Sequence, residues 1–211
     1  MGLSENQLRT SLDALSDIEP AFAAAIGRIG YPAPRVRDRG YATLLRTIIG
    51  QQVSVQSANA VWLKLDTMLG NASDPVVVAA ATDEQLRAAG LSRQKAGYAR
   101  SLADEVTSGR LDLAALPADD EEAIAALVRV KGIGRWSAEV YLLFAEGRPD
   151  IWPAGDLAVQ IEVGRILGHD TRPSERLTRE LAEAWRPHRG AAAIFTWHHY
   201  GAGPDVVAAP V

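Results

Sequence analysis

The chain has 211 residues, no cysteine, 22 Lys and Arg against 26 Asp and Glu, and a formal net charge of −4. That length and an apolar fraction of 47% suit one or two globular domains, while the missing thiols exclude disulfides, thiolate zinc sites and iron–sulfur clusters and fit a reducing cytoplasm. No apolar run approaches the roughly 18 residues of a membrane span, and Met1-Gly2-Leu3-Ser4-Glu5 lacks the pattern of a secretory signal, so a cytoplasmic setting without a membrane partner is expected.

Rich in alanine and poor in alternating β-branched runs, the chain reads as all-α. A first helix covers about Glu5 to Ser16. A second starts after Pro20 and runs through Phe22-Ala23-Ala24-Ala25-Ile26. Tyr31-Pro32-Ala33-Pro34-Arg35 cannot continue it, because proline lacks the amide donor and restricts the residue before it; the stretch is a connector and a candidate lobe boundary. Leu44, Leu45, Ile48 and Ile49 then recur at helical spacing, and Val53 and Val55 lead into a segment reaching Leu69. Thr82-Asp83-Glu84-Gln85 forms a capping box for a short helix that Gly90 ends. Ser92 caps a longer helix to about Thr107, with Gly109 beyond it. Asp119-Asp120-Glu121-Glu122 places acids on the first turn of the next helix, where the backbone dipole favours them.

Charge is unevenly spread along these elements. Residues 28–64 hold six bases (Arg28, Arg35, Arg37, Arg39, Arg46, Lys64) and one acid, Asp38, whereas residues 101–127 hold seven acids and one base. An acidic protein can therefore present a basic face to a nucleic acid, although a solvated charged surface gives the same pattern.

The most informative stretch follows. The apolar helix carrying Ile124, Leu127 and Val128 gives way to the turn Lys131-Gly132-Ile133-Gly134, and Arg135-Trp136-Ser137-Ala138-Glu139 begins a new helix. Two glycines around one apolar residue let the backbone turn sharply, and the amides at the start of the next helix suit an anion. A phosphate is the natural ligand, with Lys131 and Arg135 as flanking cations; a plain helix connection with a glycine cap is the bland alternative. Some twenty residues on, Pro153 and Gly155 make a loop and Asp156 opens a helix with Leu157, Ile161, Ile166 and Leu167. By itself Asp156 reads as an N-cap.

The turn, the proline- and glycine-bearing loop and the aspartate together resemble the helix-hairpin-helix (HhH-GPD) DNA glycosylase superfamily. Ile48-Ile49-Gly50-Gln51-Gln52-Val53-Ser54 and Gly132-Ile133-Gly134-Arg135-Trp136-Ser137-Ala138 are similar to segments of its DNA-3-methyladenine glycosylase II (AlkA-type) branch. The resemblance covers roughly residues 20–200, with the motifs in the right order. It implies a two-lobed helical fold with the active-site cleft between lobes. One lobe is expected from residues 1–40 plus 146–211 with the catalytic aspartate, and the other from 41–145, ending in the hairpin at about 120–145. Because the chain opens on helices, no counterpart of that branch's N-terminal β-rich domain is expected.

The implied activity is monofunctional excision of flipped alkylated purines, such as 3-methyladenine and 7-methylguanine, from double-stranded DNA in base excision repair, leaving an abasic site. Asp156 would stabilise the oxocarbenium-like sugar and assist the attacking water. Branches that also cut the strand carry a lysine nucleophile where Trp136 stands. The resemblance assigns Trp136 to stacking on the base, with Val140, Trp152, His188 and Trp197 as further pocket candidates. Val140 and His188 replace aromatic residues of a well-known member, which makes the pocket less aromatic. Trp152 and Trp197 also fit the core. Gln51 and Gln52 match the segment that fills the gap left by the flipped base; leucine stands at the position of Gln52 in that member, so a hydrogen bond to the orphaned partner base replaces an apolar wedge.

Lys131, Gly132, Gly134, Arg135 and Ser137 would meet the DNA backbone. No cofactor is required. The resemblance further implies a sodium or potassium ion on the carbonyls of Val128, Val130 and Ile133, and oxygen ligands suit such a hard cation. Nothing in the spacing of the histidines supports zinc. A monomer is expected. A glycosylase for oxidised or deaminated bases on the same fold, and a non-catalytic binder of DNA lesions, stand as alternatives.

Overall fold

A computed structural model describes residues 2–203. These residues are helical and irregular, with no strand among them. Helix α1 (Glu5–Ile18) starts with a complete capping box, in which Ser4 Oγ accepts the Gln7 amide and the Gln7 side chain accepts the Ser4 amide. It runs two residues past the expected end, because Glu19 rather than Ser16 adopts the extended backbone from which Pro20 opens α2 (Pro20–Ile29). Then come α3 (Tyr41–Gly50), α4 (Val55–Leu69), α5 (Pro75–Ala80), α6 (Asp83–Ala88), α7 (Arg93–Thr107), α8 (Asp120–Val128) and α9 (Arg135–Tyr141). Residues Leu142–Glu146 continue α9 as a π-helical turn. They are followed by α10 (Leu157–Leu167), α11 (Glu175–Leu181), a 3-10 turn (Ala182–Trp185) and α12 (Arg189–Ala202).

The caps anticipated at Thr82, Ser92 and Asp156 all form, and Asp119, expected on the first turn, forms another; each side-chain oxygen accepts the amide three residues on. Asp119 thus serves as the cap itself, and Asp120, Glu121 and Glu122 occupy the first turn.

The chain folds as two compact units, one discontinuous: residues up to Arg37 together with those from Leu142 onward, and the intervening Asp38–Tyr141. Residues 204–211, assigned above to the first lobe, lie outside the described residues. In the discontinuous unit, Leu8, Leu12 and Leu15 of α1 and Phe22 of α2 are fully buried. The Phe22 ring stands edge-on to Trp185 with centroids 5.1 Å apart and lies 5.8 Å from Phe195. In the second unit, Leu44, Leu45, Ile48 and Ile49 of α3 are buried, as the helical spacing requires. Across this unit the Tyr141 hydroxyl accepts the Gly40 amide at 2.9 Å, tying its first residues to its last.

Candidate active site

In the discontinuous unit the loop before α10 is closed on itself. The Ala154 amide donates to Trp152 O at 2.9 Å, the Asp156 amide to Pro153 O at 2.9 Å, and Gln160 Nε2 reaches back to Ala154 O at 2.8 Å. These bonds set the start of α10 and leave Asp156 only 6% exposed. Its Oδ1 accepts the Val159 amide at 3.0 Å, as an N-cap does, and also the indole N–H of Trp197 at 3.2 Å. Trp197 comes from α12, is itself buried, and lies 5.5 Å from the Phe144 ring.

Helix α12 is held in register along this segment by more than one contact. Arg189 donates from Nε and Nη2 to Asp150, both at 2.9 Å, and Gly190 donates to Pro149 O at 2.8 Å. A Cβ at Gly190 would stand 2.5 Å from that carbonyl oxygen, so the approach needs glycine. Toward the other end, fully buried Glu162 is hydrogen-bonded to His199 and paired with Arg165. None of these partners of α12 announces itself in the sequence.

Trp152 takes a different place from the one the resemblance gave it. It is 3% exposed, its indole donates to Thr178 O at 3.1 Å, and its ring is edge-on to Trp185 at 5.4 Å. Its ring is buried and its polar edge is satisfied internally, as in a core residue. His188 is half-buried at the start of α12.

In the second unit the hairpin joins α8 to α9. Ile133 is buried and donates to Val130 O at 3.0 Å. Its two glycines answer to different needs. Gly132 has φ +88°, and a Cβ there would fall 2.2 Å from the Tyr98 ring, so the fold itself demands glycine. At Gly134 a Cβ would meet nothing within 4 Å, and the residue is exposed. Lys131 is exposed, and its amide donates to Ser101 Oγ at 3.1 Å.

Arg135, expected at a phosphate, is paired within the protein. One Nη donates to Glu121 at 2.8 Å and its Nε to buried Glu139 at 2.8 Å, so the guanidinium braces α8 against α9. The Glu121 carboxylate is the main cause that lifts its pKa above the ordinary arginine value. Of the other residues on α9, Trp136 is 36% exposed, while Ser137 and Val140 are buried.

The turn after α3 meets the hairpin from within the same unit. Gln51 Nε2 donates to Gly132 O at 2.7 Å, and Lys95 Nζ from α7 donates to Ile49 O, in the last turn of α3, at 2.7 Å. Burial pushes the Lys95 amine below its usual pKa. Gln52 is exposed and holds φ +57°, the one non-glycine with positive φ among the described residues. A left-handed glutamine costs on the order of 1 kcal/mol.

Among the described residues no three His, Asp or Glu side chains converge on a metal-sized site. For a monovalent ion the hairpin offers neutral main-chain oxygens. Val130 O accepts one amide, and a carbonyl keeps a second lone pair, so this donor set fits sodium or potassium.

Residues 45–187 match the HhH-GPD superfamily of base excision DNA repair proteins. The chain belongs to this superfamily. The matched span of this HhH-GPD protein takes in Gln51, the hairpin and Asp156, and stops short of His188 and Trp197. It is 30% identical to DNA-3-methyladenine glycosylase 1 of Schizosaccharomyces pombe over 161 residues, which cover 74% of this chain and 71% of that protein. Its structure is similar to that of a DNA-3-methyladenine glycosidase from Bacillus halodurans, with a TM-score of 0.82 and 28% identity over 92% of this chain and 89% of that one. It is also similar to S. pombe 3-methyladenine DNA glycosylase Mag1 in complex with abasic DNA, with a TM-score of 0.77 and 25% identity over 94% of this chain and all of that one.

Proposed function

We propose that this HhH-GPD protein is a monofunctional DNA glycosylase that excises alkylated purines from double-stranded DNA. The observation that carries this reading is Asp156: a carboxylate on a helix N-terminus, nearly buried, with one oxygen fixed by two donors. The names of its relatives supply the substrate class.

An N-alkylated purine carries positive charge and leaves without strong acid catalysis, so the demand falls on the sugar. As the bond from C1′ to the base nitrogen breaks, its electron pair departs with the base and C1′ becomes cationic. Asp156 stabilises that charge electrostatically and accepts or directs a proton of the water whose oxygen bonds to C1′. The nucleotide must first leave the stack. Trp136, half-open on α9, offers a face that attracts an electron-poor ring. It has no amine, which supports hydrolysis without strand cleavage. Val140 and His188 stand where the AlkA-type pattern has aromatic residues.

Gln52 would face the partner base left behind, and Lys131, Gly132, Gly134 and the start of α9 the phosphates. A sodium or potassium ion on Val128, Val130 and Ile133 would add a positive charge beneath them. The protein would act as a monomer in the cytoplasm and need no other cofactor.

The test is the spectrum of bases released from methylated DNA, compared with DNA containing oxidised guanine or hypoxanthine. Release of 3-methyladenine or 7-methylguanine is expected; preference for the other substrates would move the assignment to oxidised or deaminated bases. Asp156→Asn keeps an oxygen for both donors, so the fold and DNA binding survive while base release is lost. Undiminished release by that variant would overturn the assigned chemistry, and borohydride trapping of the wild type on DNA would overturn the monofunctional reading.

A further inference from the structure

Gln51 and Gln52 are neighbours in sequence but not in task. The Gln52 side chain is exposed on a strained left-handed backbone, whereas the Gln51 amide is turned inward onto Gly132 O at 2.7 Å. Gln51 is also the residue that ends α3, its own amide donating to Ile48 O at 3.4 Å. Two residues before Gln51, Ile49 O receives the ammonium of Lys95, a cation well placed on the last carbonyls of a helix. The turn that carries Gln52 is thus fixed from two sides. One anchor is the hairpin glycine that only a glycine can occupy, because Tyr98 lies against it. The other is a lysine of α7. Nothing local favours φ +57° at Gln52, so the anchors must hold it.

We propose that Gln51 is a positioning residue that couples the hairpin to Gln52, with Lys95 as the second anchor of the same turn. The proposal rests on the glycosylase reading above and deepens it. When phosphates bind the hairpin, Gly132 is fixed, and through its carbonyl the Gln51 amide fixes the turn. Gln52 then meets the gap in the duplex already in its strained conformation, so little ordering remains to oppose binding. Undamaged duplex, which offers no gap, uses the hairpin without the turn.

The test measures affinity for two duplexes of the same sequence, one carrying an abasic-site analogue and one undamaged. Gln51→Leu keeps the side-chain shape and removes the donor. Expected is a loss of about five- to tenfold in affinity for the abasic duplex, the worth of one hydrogen bond, with undamaged-duplex affinity unchanged. In a Gln52→Ala background the same substitution has no further effect, because Gln51 acts through Gln52. Lys95→Met gives the same pattern and serves where Gln51→Leu does not fold. Equal losses on both duplexes, additive losses in the double variant, or no loss would each overturn the coupling. A wild type that does not prefer the abasic duplex would instead overturn the glycosylase reading itself, and the coupling with it.

Discussion

The indole N–H of Trp197 donates to Asp156 Oδ1 at 3.2 Å, joining two residues that lie 41 apart in the chain. The bond adds a second donor from α12 to the oxygen that the N-cap contact already holds. Trp197→Phe keeps most of the packing against Phe144 and removes only the donor. We expect base release to slow about tenfold while DNA affinity is unchanged, with a stability cost of about 1 kcal/mol. Unchanged turnover in a folded Trp197→Phe protein would show that the cap suffices to orient Asp156.

The two hairpin glycines separate stability from binding. Gly132→Ala drives a methyl into the Tyr98 ring and strains a positive φ, so the melting temperature drops, by the equivalent of about 2 kcal/mol or more. Gly134→Ala meets nothing in the protein, leaves the melting temperature unchanged, and weakens binding to every DNA sequence alike. Thermal melts and binding to two unrelated duplexes check both. Wild-type DNA affinity in Gly134→Ala would remove that glycine from the interface.

Arg135 and Lys131 are both basic residues of the hairpin, yet only one is expected to show in the salt dependence of binding. Lys131→Met reduces the slope of log K against log salt by about 0.9, the contribution of one phosphate contact. Arg135→Met leaves that slope unchanged and lowers stability by roughly 1–3 kcal/mol, because buried Glu139 loses its cation. A smaller slope in Arg135→Met would restore Arg135 to the DNA backbone.

Acid sensitivity should trace in part to Glu183. Its hydrogen bond from Arg186 is the main cause that holds the carboxyl below the usual glutamate range, and Arg189 adds to it. Folding therefore favours the carboxylate. That contribution is complete above the unfolded value of about 4.3 and is lost as the pH falls through the lower folded value. Melting temperature falls below about pH 4.3, and Glu183→Gln falls less over the same interval. Parallel acid profiles for the two proteins would assign the sensitivity elsewhere.

Local chemistry was legible along the chain. Ser92 and Asp156 could be read as caps because an N-cap depends on a side chain and an amide three residues away. Gly132 and Ile133 were readable as a turn with a buried centre for the same local reason. What stayed hidden lay in pairings across the fold. No spacing rule links Gln51 to Gly132, Lys95 to Ile49, or Trp197 to Asp156, because each bond depends on how two helices pack. The internal pairing of Arg135 is hidden for a related reason. Its charge was visible, whereas Glu121, fourteen residues earlier, becomes its neighbour only when the hairpin folds. Trp152 shows the converse, since an aromatic residue beside a catalytic loop serves equally well as core, and Trp185 and Thr178 decide it.

The discontinuous unit imposes an order on synthesis. Asp38–Tyr141 emerges from the ribosome complete, and the Gly40–Tyr141 bond can close it at once. Phe22 has no such option. Its ring partners, Trp185 and Phe195, are translated more than 160 residues after it, so the core around Phe22 must wait for them. At elongation rates of about 5–20 residues per second that wait lasts on the order of ten seconds or longer. Helices α1 and α2 are therefore made before the continuous unit yet complete their core after it, and it is the stretch around Phe22, rather than the hairpin or the aspartate, that needs cover while the protein is being made.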